Sequence, residues 1–376
     1  MMLGLGCSSG PERPDAGKIQ SDMEAFSNRS EAPLPTHEEG VLQEDQWHRG
    51  RRNIEISFKA PSQPGSYPLV IYFPGLGQNA AAGVLWKNAW VRAGFAVLTV
   101  QGERDAHALH GLSREDRMDL RSVGRPYFSS AEIEERIRDF DYVIQELRKR
   151  SHAGSQPYDK VITSEFAVAG FDLGAQTVQA LIGEKIRGNR LPETAGSIRS
   201  AILLSPHVDV AAGGIQQRFR EIQTPLLVIT GTNDHDPWGI SSPSVRQAPW
   251  QQAASHRKIL VNLTRATHRQ MAGIDPSSQR PEDLEADPEE IQARQDQEEN
   301  PVKTAMRQLA SNGRPMPFRD QQTTGDPRHP GQQLSAIQWI SAAFLSETLK
   351  QDQASGAWLR NKAPSWLSGA GVIQNR

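Results

Sequence analysis

One cysteine, Cys7, stands in 376 residues. No intrachain disulfide can form, so packing and hydrogen bonding must hold the fold. No apolar run approaches the roughly 18 residues of a membrane-spanning helix. Charge of one sign is also missing. The net charge is −2, so no global field favours nucleic acid or an anionic membrane. Hydrophobic residues make up 37% and aromatics 6%, and the mean hydropathy is −0.58. Such polarity predicts polar tails or insertions around an ordinary core. Internal repeats are lacking too. The length suits one large domain of roughly 250–300 residues plus such tails.

What is present divides the chain into four parts. Residues 1–46 open on MMLGLGCSSG, where Gly6-Cys7 resembles the end of a bacterial lipoprotein signal. A basic start is missing, and the apolar run is shorter than the ~7–15 residues of an ordinary signal core. The expectation is a truncated signal followed by a disordered leader rich in Pro, Glu, Ser and Gly. On that reading the protein belongs to the cell envelope, tethered to the membrane through a lipid on Cys7; otherwise it is cytoplasmic. Residues 47–274 form the expected core. Residues 275–333 are acidic, Gln-rich and Pro-rich, and read as a polar insertion, with a lid as the functional alternative. Residues 334–376 are expected to supply helices that complete the core.

Within the core, strand and helix patterns alternate. Residues 53–58 alternate polar and apolar, as a half-buried strand does. Leu69-Val70-Ile71-Tyr72-Phe73 is a continuous apolar run, as in a central parallel strand. Further strands are predicted at residues 95–100, 166–169, 201–204, 226–230 and 259–263. Helices are predicted at 83–93, 130–150, 175–183 and 334–349. The clearest is 130–150, where Ile133, Ile137, Phe140, Ile144 and Leu147 make one apolar stripe. The fold class is therefore α/β, with a mostly parallel central sheet and helices on both faces.

Three candidate residues follow strands of that sheet. Asp172 lies in Ala169-Gly170-Phe171-Asp172-Leu173-Gly174, a small-x-nucleophile-x-small turn between a strand and a helix. Asp234 ends Gly231-Thr232-Asn233-Asp234, and His268 follows the last predicted strand. In an open parallel sheet, functional groups gather beyond the carboxyl ends of the strands. The order nucleophile, acid, base is that of the α/β-hydrolase fold. Asp209 and Asp236 compete with Asp234 as the acid. His207, Asp209, Asp234, His235 and Asp236 lack the spacing of a metal site. No metal and no cofactor are expected, and the expected partner is a small-molecule substrate or ligand.

The run Tyr67-Pro68-Leu69-Val70-Ile71-Tyr72-Phe73-Pro74-Gly75-Leu76-Gly77 resembles the strand and oxyanion loop of platelet-activating-factor acetylhydrolases and dienelactone-hydrolase-like esterases. Those proteins usually carry His at the position of Pro74. The resemblance extends over residues 53–275 and the C-terminal helices. It implies an α/β-hydrolase fold, with the backbone N–H groups of Leu76 and Leu173 as the oxyanion hole. His268 would be the base and Asp234 its orienting carboxylate.

The departure is Asp172, which stands where such esterases have Ser. A carboxylate attacking an ester carbonyl would make a high-energy mixed anhydride. An Asp nucleophile suits attack at an alkyl carbon, which gives an ester of the enzyme. Haloalkane dehalogenases and epoxide hydrolases of the superfamily work that way. The former usually have Trp after the Asp, where this chain has Leu173. The sequence thus predicts a hydrolase with an Asp172–Asp234–His268 triad for an ester-like, epoxide or halide small molecule. The alternatives are an inactive or weak relative that binds a ligand or partner through the pocket, and an enzyme in which Asp172 is a general base for water.

Overall fold

The computed structural model describes residues 16–186, 191–274 and 330–376. Their centre is a nine-stranded sheet in the order β1-β2-β4-β3-β5-β6-β7-β8-β9. The strands are β1 (Gln43–Arg49), β2 (Arg52–Lys59), β3 (Tyr67–Phe73), β4 (Ala96–Gly102), β5 (Val161–Phe171), β6 (Ile198–Leu204), β7 (Leu226–Asn233), β8 (Lys258–Thr267) and β9 (Gly371–Asn375). From β4 through β3 to β8 every neighbouring pair is parallel, and β1, β2 and β9 run antiparallel at the margins. The chain is thus mixed α/β with a mostly parallel sheet.

The apolar run of β3 is explained by its two covered faces. Leu69, Ile71 and Phe73 point into one core, Val70 and Tyr72 into the other, and all are buried. The period-2 pleat divides a continuous hydrophobic run between two layers. Helices α3 (Ser130–His152) and α4 (Leu173–Leu181) cover the first face. The predicted stripe of Ile133, Ile137, Phe140, Ile144 and Leu147 is buried there. Helices α2 (Val84–Arg92) and α5 (Pro330–Leu349) cover the second, with Trp86, Trp90, Ile337, Ile340 and Phe344 in its core. Helix α6 (Gln353–Asn361) follows and adds Trp358 and Leu359.

The leader differs from the sequence expectation. Residues 16–46 are not a disordered tether: α1 (Ala16–Ser27) packs on the second layer and buries Met23 and Phe26. The Phe26 ring stacks on Trp366 at 4.3 Å. The indole N–H of Trp366 donates to the Phe26 carbonyl at 3.1 Å, and that of Trp358 to the Ser30 carbonyl at 2.6 Å. Farther along, the His37 amide donates to the Arg92 carbonyl at 2.8 Å. Few apolar residues are needed here because the aromatic surface comes from the far end of the chain. The lipoprotein-like start at Cys7 and nearly all of the expected insertion at 275–333 lie outside the described residues; α5 begins at Pro330. No described helix is long and apolar enough to cross a membrane.

Strand order sets the place of function. From β3 the chain crosses to β4 on one side and later to β5 on the other. The carboxyl ends of β3 and β5 therefore flank the switch point of the sheet, the place where open parallel sheets generally bind ligands. Phe73, Phe171 and Thr267 close the strands that deliver the oxyanion-loop candidate, Asp172 and His268.

Candidate active site

Asp172 sits between β5 and α4 with φ 52° and ψ −111°. Positive φ is uncommon for a residue with a Cβ, and persists where the surroundings over-determine it. Two glycines make the turn possible. A Cβ on Gly170 would meet Gly174 backbone atoms at 2.3 Å, and one on Gly174 would meet the Phe73 carbonyl oxygen at 1.9 Å. The elbow is thereby pressed against the end of β3, which brings the following loop over Asp172.

The carboxylate is held from three sides. The Leu76 amide donates to Oδ2 at 3.2 Å. The Trp238 indole N–H reaches both oxygens, at 3.1 Å to Oδ2 and 3.2 Å to Oδ1. His268 Nε2 lies 3.6 Å from Oδ1. The two oxygens are therefore not equivalent: Oδ2 faces backbone, and Oδ1 faces the imidazole. Of the two expected amide donors, Leu76 is on the carboxylate, while Leu173 starts α4 and adds its buried side chain to the apolar cover. The loop that carries Leu76 is fixed in turn. Gln101 donates to the carbonyls of Gly75 and Gln78 at 3.0 and 2.8 Å, and the Gly77 amide donates to the Asp105 carbonyl at 2.9 Å.

Behind His268 stands Asp234, whose Oδ1 is 2.8 Å from Nδ1. Its other oxygen accepts from Ser205 Oγ at 2.7 Å and Thr230 Oγ1 at 2.8 Å. Burial alone would push the Asp234 carboxyl up. The Arg246 charge and the hydrogen bonds from His268 and Ser205 outweigh burial and hold it well below the usual carboxylate range. An ionised Asp234 has no proton to donate, so Nδ1 of His268 carries the hydrogen and Nε2 is left for chemistry. Asp172 behaves oppositely. Burial pushes its carboxyl up, against the pull of His268 and Trp238, and nearby Asp236 adds to the rise.

The rival acids do other work. Asp209 accepts from the Ala211 amide at 2.8 Å, within its own turn. Asp236 accepts from the amides of Ile240 and Ser241 at 3.1 and 2.6 Å. That turn carries Trp238, which no local motif announces because it lies 66 positions from Asp172. Among the described residues, no group of three His, Cys, Asp or Glu side chains stands ready to hold a metal ion.

A small apolar cluster closes over the carboxylate. It consists of Leu76, Ala108, Phe128, Leu173 and Trp238, with Leu109, Leu120, Tyr127 and Ile240 packed against it. Asp172 is only 2% exposed beneath it. Phe128 also stacks on His207 at 4.3 Å, and burial first, then nearby arginines, push that imidazole well below its ordinary value. Outside the cluster runs a groove of about 530 Å³, with Phe128 and Ile240 in its wall beside Ser122, Arg125 and Asp209.

No protein-family model matches the chain, and no curated protein matches it.

Proposed function

We propose that the protein is an α/β-hydrolase-fold hydrolase in which Asp172 attacks an alkyl carbon, His268 activates water and Asp234 orients His268. The observation that carries this reading is the division of labour on Asp172. One oxygen rests on the Leu76 amide while the other faces His268 Nε2. The strand order and the chain order of the three residues support the fold assignment.

The chemistry follows from that division. Oδ1 forms a bond to the substrate carbon, and the bond to the leaving group breaks with its electron pair. The carboxylate loses its charge as the ester forms. The Trp238 N–H is then released to donate to the departing anion. Water next gives a proton to His268 Nε2 and attacks Cγ of Asp172. Negative charge develops on Oδ2, where the Leu76 N–H already points. Collapse expels the alcohol, which takes its proton from His268. The acid left on Asp172 then gives the second proton of the water through His268 Nε2 to solvent, which restores the carboxylate with one oxygen derived from water.

The donors on Asp172 are N–H groups. An indole or amide N–H stabilises an anion but does not protonate a strongly basic alkoxide. A weakly basic leaving group, such as a halide, therefore fits better than an epoxide oxygen. An acyl substrate fits least, because its intermediate would be a mixed anhydride.

A panel of alkyl halides, followed by single turnover in ¹⁸O-water, tests this. The peptide carrying Asp172 should gain one heavy oxygen, and Asp172→Asn should lose turnover by roughly 10⁴-fold. An active enzyme whose Asp172 stays unlabelled would overturn the assignment. The second reading, a relative that binds a ligand or partner without turnover, draws on the closed apolar cover and the 2% exposure of Asp172. It gains if the panel yields binding but no product.

A further inference from the structure

Arg246 takes no part in the two chemical steps, yet it is wholly buried. Guanidinium groups are almost never fully buried unless paired, and each of its nitrogens meets part of the site. Nε donates to the Asp234 carbonyl at 2.7 Å and lies 3.3 Å from Asp234 Oδ1. Nη1 donates to the carbonyls of Ser205 and Pro206 at 3.0 and 2.8 Å. Nη2 lies 3.4 Å from Asp236 Oδ2 and also 3.4 Å from His268 Nδ1.

These contacts belong to two arms. Through Asp234, Arg246 reaches His268, the base. Through Asp236, which holds the Ile240 and Ser241 amides, it reaches the turn that lays Trp238 on Asp172. A lysine could supply the charge, but not a planar fork that spans both arms.

The charges around His268 show why a cation is needed there. Asp172 faces it from the elbow and Asp234 from the turn after β7, while the Phe171 ring covers a face at 4.7 Å. Two carboxylates favour imidazolium, which cannot act as a base. Arg246 opposes them. Nδ1 already carries its hydrogen toward Asp234, so the Arg246 Nη2 contact sets two donors against each other. A second proton on the ring would place imidazolium beside guanidinium. Asp236 tempers the cation from its far side.

We propose that Arg246 is a positioning residue that couples the two arms, keeping His268 available as a base and Trp238 seated on Asp172 through one buried charge. The proposal rests on Asp172, Asp234 and His268 forming one working site. Its readouts need no substrate, so it can fail while the hydrolase reading stands, and the reverse.

The test is NMR on the full chain, following the His268 titration and the Trp238 indole N–H, assigned with His268→Gln and Trp238→Phe. Arg246→Gln should raise the His268 midpoint by about one pH unit, a tenfold gain in proton affinity, and displace the indole resonance. Arg246→Lys should keep the midpoint and still displace the indole. A merely structural Arg246 would leave the titration where it is. The proposal is overturned if folded Arg246→Gln leaves either signal in place. Should that variant not fold, Asp236→Asn decides. It leaves the guanidinium untempered, so the His268 midpoint should fall and the indole should move; an unmoved midpoint or indole overturns the coupling.

Discussion

Asp172 carries two costs at one position, a left-handed backbone and a buried carboxylate. Its pH signature follows from the second. The carboxyl is raised in the folded chain, chiefly by burial. Between the ordinary Asp value of about 3.9 and that raised value, the folded chain binds more protons than the unfolded one. Stability therefore falls as pH rises across that window. Asp172→Asn should stabilise the chain by about 1 kcal/mol at pH 7, with the gain vanishing below pH ~4, as read by urea unfolding at several pH values. A variant no more stable at pH 7 would mean that His268 and Trp238 offset the burial completely. Asp172, Asp234 and His268 were legible in the sequence because each follows a strand directly. Trp238 and Arg246 were not. Their roles come from a turn that folds back across the site, and neither sits in a spacing with chemical meaning by itself.

At the scale of elements, the long periodic segments were the readable ones. The stripe of α3 and the apolar runs of β3 and β7 carry their burial in their own sequence. β1, with its sequence QEDQWHR, and β9 lie at the sheet margins, so each buries a single residue, Trp47 in β1 and Ile373 in β9. The order of α1 was hidden for another reason. It borrows its core from α5, α6 and the segment after them, more than 300 residues away, as the Ser27–Ser335 hydroxyl contact at 2.7 Å illustrates. Phe26 is 4% exposed against Trp366. Phe26→Ala should cost about 3 kcal/mol in a chemical denaturation curve. A loss no larger than that of an exposed surface substitution would show that α1 adds nothing to the core.

At the scale of the whole molecule, the sheet presents Asp172 at its carboxyl edge, and two kinds of wall surround it. One wall is backbone against backbone, where Gly174 meets the Phe73 carbonyl with no room for a methyl group. The other consists of side chains: Leu120 and Ile240 at the rim, and Trp238 lying flat over Gly124, where a Cβ would meet its ring at 2.4 Å. Ile240→Ala should therefore raise kcat/KM several-fold for bulkier substrates relative to the smallest one that turns over. Equal effects on both would place the constriction elsewhere. The seam at Gly174 has a mechanical consequence. The floor beneath Asp172 cannot yield without parting α4 from the end of β3, so the side-chain roof is the part of this site with room to change. Substitutions in the segments 103–128 and 236–241 can therefore reshape the cover while Asp172, Asp234 and His268 keep their places beneath it.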